Sequence, residues 1–330
     1  MKKIFKYNEF YIFLILVLIS TVFTIINPTF IKFENLFDII KSGSLTAILA
    51  IGVFVILLSG GFDLSFTAIA VSSQYISLKV MIATGIDNIF FAFLIAILIG
   101  ILLGSINGLL ISNFKLPPFL TTLGTLNIFH GILVVFVGKQ YIPSGELPSS
   151  IANFGEYHIL KITRPDGTIY GLSVFIIIVI LIILITWFIV KYTMLGRGIQ
   201  AVGSNVEAAR REGFNVKNIQ LFVYCYGGIL YGIMGVMNAA LLHYSDPVAS
   251  IVGTELLTVS AVVLGGVAIT GGSGSVWGTL LGTVILSILY TSLVLIGLSS
   301  DWNEFFIGFA ILVSIALMAN IKKINFSRKL

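Results

Sequence analysis

The sequence predicts an all-α, polytopic transmembrane helical bundle of about ten spans, with some helices broken at glycine. Three observations lead there. Of 330 residues, 58% are hydrophobic and only 10% charged, whereas a soluble domain carries about 25% charged residues. The mean hydropathy is +1.08, which implies more apolar surface than a soluble fold of this size can hide. The apolar residues also gather into runs of about 20, the length a helix needs to cross a bilayer.

The first element starts with Lys2, Lys3 and Lys6 ahead of an apolar stretch over 10–26. Such a start resembles a secretory leader. Asn27-Pro28-Thr29 is not a small-x-small cleavage site, so a retained first span is expected. The region 45–83 accommodates two helices, interrupted at Ser59-Gly60-Gly61-Phe62-Asp63. Spans follow over 90–112, 119–138, 173–190 and 221–242. The run 255–270 ends on Thr270-Gly271-Gly272-Ser273-Gly274, and 276–297 and 304–319 complete the set. One transmembrane domain over 1–330 is expected.

Orientation follows from the basic residues, which accumulate on the cytoplasmic side. With ten spans and the N-terminus inside, thirteen Lys and Arg fall in cytoplasmic segments. Five (Lys32, Lys41, Lys139, Lys161 and Arg164) fall outside. Both termini are therefore expected in the cytoplasm of a multi-pass protein of the cell inner (plasma) membrane. The net charge of +5 reads as this bias, with no nucleic acid as partner. The external segment 139–172 carries alternating residues about Arg164-Pro165-Asp166-Gly167, which suggests a small hairpin.

Polar side chains inside spans are the candidates for a transport pathway. Asp63 is an acid within a span pair, and such an acid costs several kcal/mol and marks function by default. It also suits the N-cap of the helix that follows. Gln74, Asn107, Asn127, His130 and Asn238 punctuate other spans, where amides serve either a neutral polyol or interhelical hydrogen bonding. Glu255 and Glu304 stand at the starts of their helices, where negative charge meets the dipole favourably. Gly100, Gly104 and Gly108, and Gly278 with Gly282, have the spacing that lets backbones approach. Cys225 alone supports neither a disulfide framework nor a Cys-rich metal site.

The only sizeable cytoplasmic loop is 191–220. Ser204-Asn205-Val206-Glu207 has capping-box spacing, with Ser204 as cap and Glu207 reaching back. Ala208, Ala209, Arg210 and Arg211 favour helix, and Gly213 suits the position just past its end. A short bounded helix outside the bilayer is expected.

These residues also carry a resemblance. Glu207-Ala208-Ala209 followed by Gly213 resembles the Glu-Ala-Ala-x-x-x-Gly loop of ATP-binding-cassette (ABC) importer permeases. Gly196 to Asn205, Ser59-Gly60-Gly61-Phe62-Asp63-Leu64-Ser65, Leu116 to Thr125, and Leu264-Gly265-Gly266 with Gly271-Gly272-Ser273-Gly274 are similar to the ribose-type branch of sugar permeases. The likeness covers nearly the whole chain in order. It implies a permease subunit of a monosaccharide importer, with ribose or a similar pentose first. Ser204, Asn205, Glu207, Ala208, Ala209 and Gly213 would form its ATPase-coupling element. It also implies an ABC ATPase subunit, an extracytoplasmic sugar-binding protein and a second permease chain as partners, with lipid around them. Asp63, Gln74, Asn107, Asn127 and Asn238 are the candidates for the pathway.

No Gly-x-x-x-x-Gly-Lys-Ser/Thr phosphate loop occurs in the sequence, and no catalytic set is legible. The expectation is a translocation subunit that is not an enzyme and has no cofactor or metal of its own, with ATP bound by the partner. The alternatives are an ion-coupled secondary carrier, or an ABC permease for nucleosides or a furanose signalling molecule.

Overall fold

A computed structural model describes residues 8–163 and 169–299, with 302, 303, 305, 306, 308, 309 and 312 beyond them. α1 (Asn8–Ile26) leads through a 3-10 turn at Pro28–Ile31 into α2 (Phe33–Leu58). α3 (Phe66–Thr84), α4 (Ile89–Phe114) and α5 (Pro118–Ile132) follow, α5 being extended by a π-turn over Leu133–Val137. After α6 (Ser149–Gly155) come β1 (His158–Thr163) and β2 (Ile169–Ser173), then α7 (Phe175–Tyr192), α8 (Met194–Ser204) and α9 (Val206–Arg211). α10 (Val216–Leu242), α11 (Glu255–Leu264) and α12 (Val276–Ser292) complete the order.

Seven helices among the described residues are long and apolar enough to cross a membrane, and α11 and α12 are shorter apolar helices. The all-α membrane bundle expected from composition is therefore observed. The span expected over 304–319 lies largely outside the described residues.

Three boundaries differ from expectation. α2 starts at Phe33, well before residue 45, because Glu34, Asp38 and Lys41 lower hydropathy without breaking a helix. α11 stops at Leu264 and does not run to 270, since Gly266, Gly271 and Gly272 take left-handed backbone angles. The loop over 191–220 holds two helices where one was expected. Gly196, Gly198 and Gly203 read as loop, yet each lets α8 lie flush on its neighbours.

α2, α3 and α10 form the centre. The most apolar windows of α2 and α3 are 72% buried against 11% for α1, which is peripheral. α10 packs antiparallel on α4 along a glycine seam, where a Cβ at Gly100, Gly104, Gly228 or Gly232 would overlap a carbonyl oxygen of the facing helix. Gly278 and Gly282 bring α12 equally close to the α11 side. The small-residue spacings therefore mark backbone contact.

At the end of the bundle away from α9, β1 and β2 pair antiparallel from Thr163↔Ile169 to His158↔Ser173. The strands are as expected, and their Pro-Asp-Gly turn lies outside the described residues. Asp87, between α3 and α4, accepts from the backbone nitrogens of Ser149 (3.0 Å) and Ser150 (2.8 Å) and from the Ser149 hydroxyl, capping α6. Glu156 reaches Lys41 at 3.8 Å and His243 at 3.3 Å.

Two outcomes follow. Gly104→Ala should force α4 and α10 apart and destabilise the protein by about 1–3 kcal/mol, the usual cost of overpacking. Gly124→Ala, whose added methyl meets nothing within 4 Å, should not; thermal unfolding in detergent compares them. The hydrogen bonds from Ser149 and then Ser150 hold the Asp87 carboxyl below its ordinary range. A depressed carboxylate stabilises above its unfolded pKa, about 3.9, and that contribution fades as pH falls through the lower folded value. Proteolysis within 139–172 should therefore rise only below about pH 4, and in Asp87→Asn it should already be high at neutral pH.

Candidate functional site

α9 stands at the edge of the bundle with both ends closed. Asn205 caps it, accepting from the Ala208 nitrogen at 3.0 Å. The expected capping box is corrected in detail. Ser204 is the last residue of α8 and donates its hydroxyl to the Gln200 carbonyl, and Glu207 turns to Arg210 at 2.9 Å. Because α8 runs directly into α9, residue 205 is the first position with the extended backbone a cap requires. At the far end, Gly213 (φ +86) donates to the Arg210 carbonyl and Phe214 to the Ala209 carbonyl. This paired closure is where glycine is favoured. Ala209 is the buried residue of α9, while Val206, Glu207, Ala208, Arg210 and Arg211 face outward. A groove of about 810 Å³ runs beside it, edged by Lys115, Glu207, Arg210 and Lys217.

α8 joins this outer helix to the membrane interior. Thr193 caps it by accepting from Gly196 at 3.1 Å, and Ile199 and Val202 are buried beneath it. Its end makes a three-way glycine junction. A Cβ on Gly203 would overlap the Leu58 carbonyl, and one on Gly271 would stand 2.6 Å from the Gly60 Cα. Gly272 donates to that same Leu58 carbonyl at 3.0 Å. The end of α8, the end of α2 and the loop after α11 thus meet backbone to backbone.

Beyond the junction the chain is non-helical until α3. The Phe66 ring packs 5.6 Å from Tyr231, midway along α10, so α3 starts inside the bilayer thickness. The break keeps its hydrogen bonds. The Tyr224 hydroxyl donates to the Phe62 carbonyl at 3.0 Å, and the Leu64 nitrogen donates to Thr122 at 3.2 Å. Asp63 accepts from the Ser65 nitrogen (2.8 Å) and hydroxyl (2.6 Å), and the Asn107 amide donates to that hydroxyl at 2.7 Å. Asp63 thus orders the turn before α3, and the cap its position suggested is not formed: Ser65 holds the N-cap position and makes no side-chain cap bond. One turn on, Thr67 donates to Glu255 at 2.5 Å, tying α3 to the head of α11.

The other expected pathway residues divide. Asn238 donates to Gln74 at 3.1 Å and Gln74 to Ser245 at 3.1 Å, all three buried. Asn127 stands apart on the exposed side of α5, bonded among the described residues only within its helix to Leu123. His130 lies 3.1 Å from the Pro247 carbonyl and fastens α5 to the loop before α11. Sequence reading missed Ser65, Tyr224, Thr122 and Thr67, since hydroxyls are common in spans and give no periodic signal. The clustering of Gly60, Gly203, Gly271 and Gly272 was visible, but their meeting was not.

The family model described as branched-chain amino acid transport system / permease component matches residues 35–315. A ribose import permease of Haemophilus influenzae is 31% identical over 93% of this chain and 91% of its own length. A D-allose transport system permease of Escherichia coli is 30% identical, covering 96% and 93%. An autoinducer 2 import system permease of Enterobacter is 29% identical, covering 98% and 90%. No solved structure matches the chain. The chain belongs to this family of ABC importer permeases, in the ribose-type branch that its motifs resemble.

Removing the cap of α9 should loosen that helix and leave the bundle intact. Asn205→Ala should cost α9 about 1 kcal/mol. Hydrogen exchange should show faster labelling over 206–211 and unchanged protection in α10.

Proposed function

We propose that this chain is the membrane-spanning subunit of an ATP-driven importer for a monosaccharide, ribose or a similar pentose first. The observation that carries this reading is α9, a helix closed at both ends that buries Ala209 and turns its remaining side chains outward. Such a helix adds little to packing and is suited to seat in a groove on a separate ATPase. Ser204, Asn205, Glu207, Ala208, Ala209 and Gly213 would form that coupling element. Through α8 and the glycine junction, a displacement of α9 would reach the break at Asp63 with no soft side chain between them. ATP would be bound by the partner, and no cofactor is assigned to this chain.

The whole of 1–330 would act as one permease domain, with both termini cytoplasmic. An extracytoplasmic sugar-binding protein would dock at the opposite end, where 139–172 lies. A second permease chain, the same or different, would complete the assembly. The Asp63–Ser65–Asn107 and Gln74–Asn238–Ser245 groups would face the pathway, and Asn127 would join it only at the boundary with the second chain. Relatives named for ribose, D-allose and autoinducer 2 support a sugar-like solute.

The reading is tested in cells carrying the full importer. Glu207→Arg or Gly213→Pro should leave the chain in the membrane and lower ATP-dependent uptake about 5- to 150-fold, the usual range of coupling between sites. Normal uptake with normal ATPase co-purification would refute it. Uptake that collapses with an uncoupler while ATP stays high would point to an ion-coupled carrier.

A further inference from the structure

At the end of the bundle away from α9, residues of α2, α10, α11 and α12, with the loop before α11 and Asn303, line a partly open cavity of about 380 Å³. That volume lies in the range of small-molecule sites, about 300–1,000 Å³. Thr46, Asn238, Ser250, Ser287, Tyr290 and Asn303 line it among leucines, and none of its described lining residues is charged. Asn238 is held from behind, its amide given to Gln74. Two of the polar atoms, Ser250 Oγ and Asn303 Oδ1, are buried without a hydrogen-bond partner among the described residues, and Asn303 is only 6% exposed. Native folds leave few such atoms, and each calls for an explanation.

We infer that this cavity is where the permease itself holds its solute, the monosaccharide of the proposed importer. The inference deepens the importer reading and rests on it. Hydroxyls supply both donors and acceptors, which suits a wall of amides and hydroxyls, while leucines and the Tyr290 ring meet the apolar faces of a sugar. Among the described lining residues an amino acid would find no charged partner for its carboxylate or ammonium, and unpaired charges are costly to bury.

The test uses the full importer, measuring uptake of labelled D-ribose, D-allose and L-leucine. Asn303→Leu keeps much of the side-chain volume and removes the unpartnered amide, and Thr46→Val removes one hydroxyl at nearly constant shape. If the cavity holds the solute, both variants keep wild-type abundance, thermal stability and ATPase co-purification. Sugar uptake then falls at least about tenfold in Asn303→Leu and measurably in Thr46→Val. Unchanged sugar uptake in stable variants overturns the cavity assignment and leaves the importer reading standing. A wild-type importer that takes up L-leucine and neither sugar overturns the monosaccharide reading, and this inference with it.

Discussion

From Phe62 to Leu64 the main chain passes between the end of α2 and the start of α3 without helical pairing, and lipid offers its amide and carbonyl groups no substitute. The partners come from separate elements. Thr122 of α5 and Tyr224 of α10 serve the backbone at 62 and 64, and Asn107 of α4 holds Ser65. Each bond fixes the height of one helix against the others, so the break works as the reference point of the bundle. It also explains why α3 starts midway along α10. The turn that leads into α3 is held by Asp63, and Glu255 sits beside the first turn on Thr67. A carboxylate is favoured at either place by the positive end of the helix dipole.

The same economy governs contact between elements. Where α4 meets α10, and where α8 meets the end of α2, glycine removes the side chain and backbones touch. In lipid the association of helices cannot rest on expelling water and depends on close packing. Such contacts have little slack. In the proposed importer this matters for energy transfer, because a flexible side chain at Gly203 could absorb a movement of α9 that a backbone contact must pass on.

Much of this was legible in the sequence. Apolar run length placed the spans, the Gly-Gly-Phe-Asp stretch placed the break, and Gly213 placed the end of α9. What failed did so for physical reasons. Hydropathy reports the portion of a helix in lipid and cannot see the polar turns of α2 that continue beyond it. Glycine signals either a turn or a close approach, and only the neighbour decides, so α8 was hidden in a loop. Ser204 and Asn205 are both good caps, and the choice between them depends on where α8 stops. The pairing of Gln74 with Asn238 joins residues 164 positions apart, and a single sequence carries no mark of it. Asn127 looked the same as these amides, yet it faces away.

The chemistry of the interior bears on what drives transport and what passes. A carrier that couples to an ion needs an acid free to gain and lose it. Asp63 is bonded to Ser65 by two contacts, and Glu255 to Thr67 and Gly253. Both carboxylates already have structural partners, and releasing either would break a bond at the start of α3. An interior built this way is better suited to neutral solutes, read through amides and hydroxyls, with its energy supplied from outside the membrane. Without a phosphate loop in the sequence, that energy needs a protein contact, and α9 offers a helix already ordered to receive one.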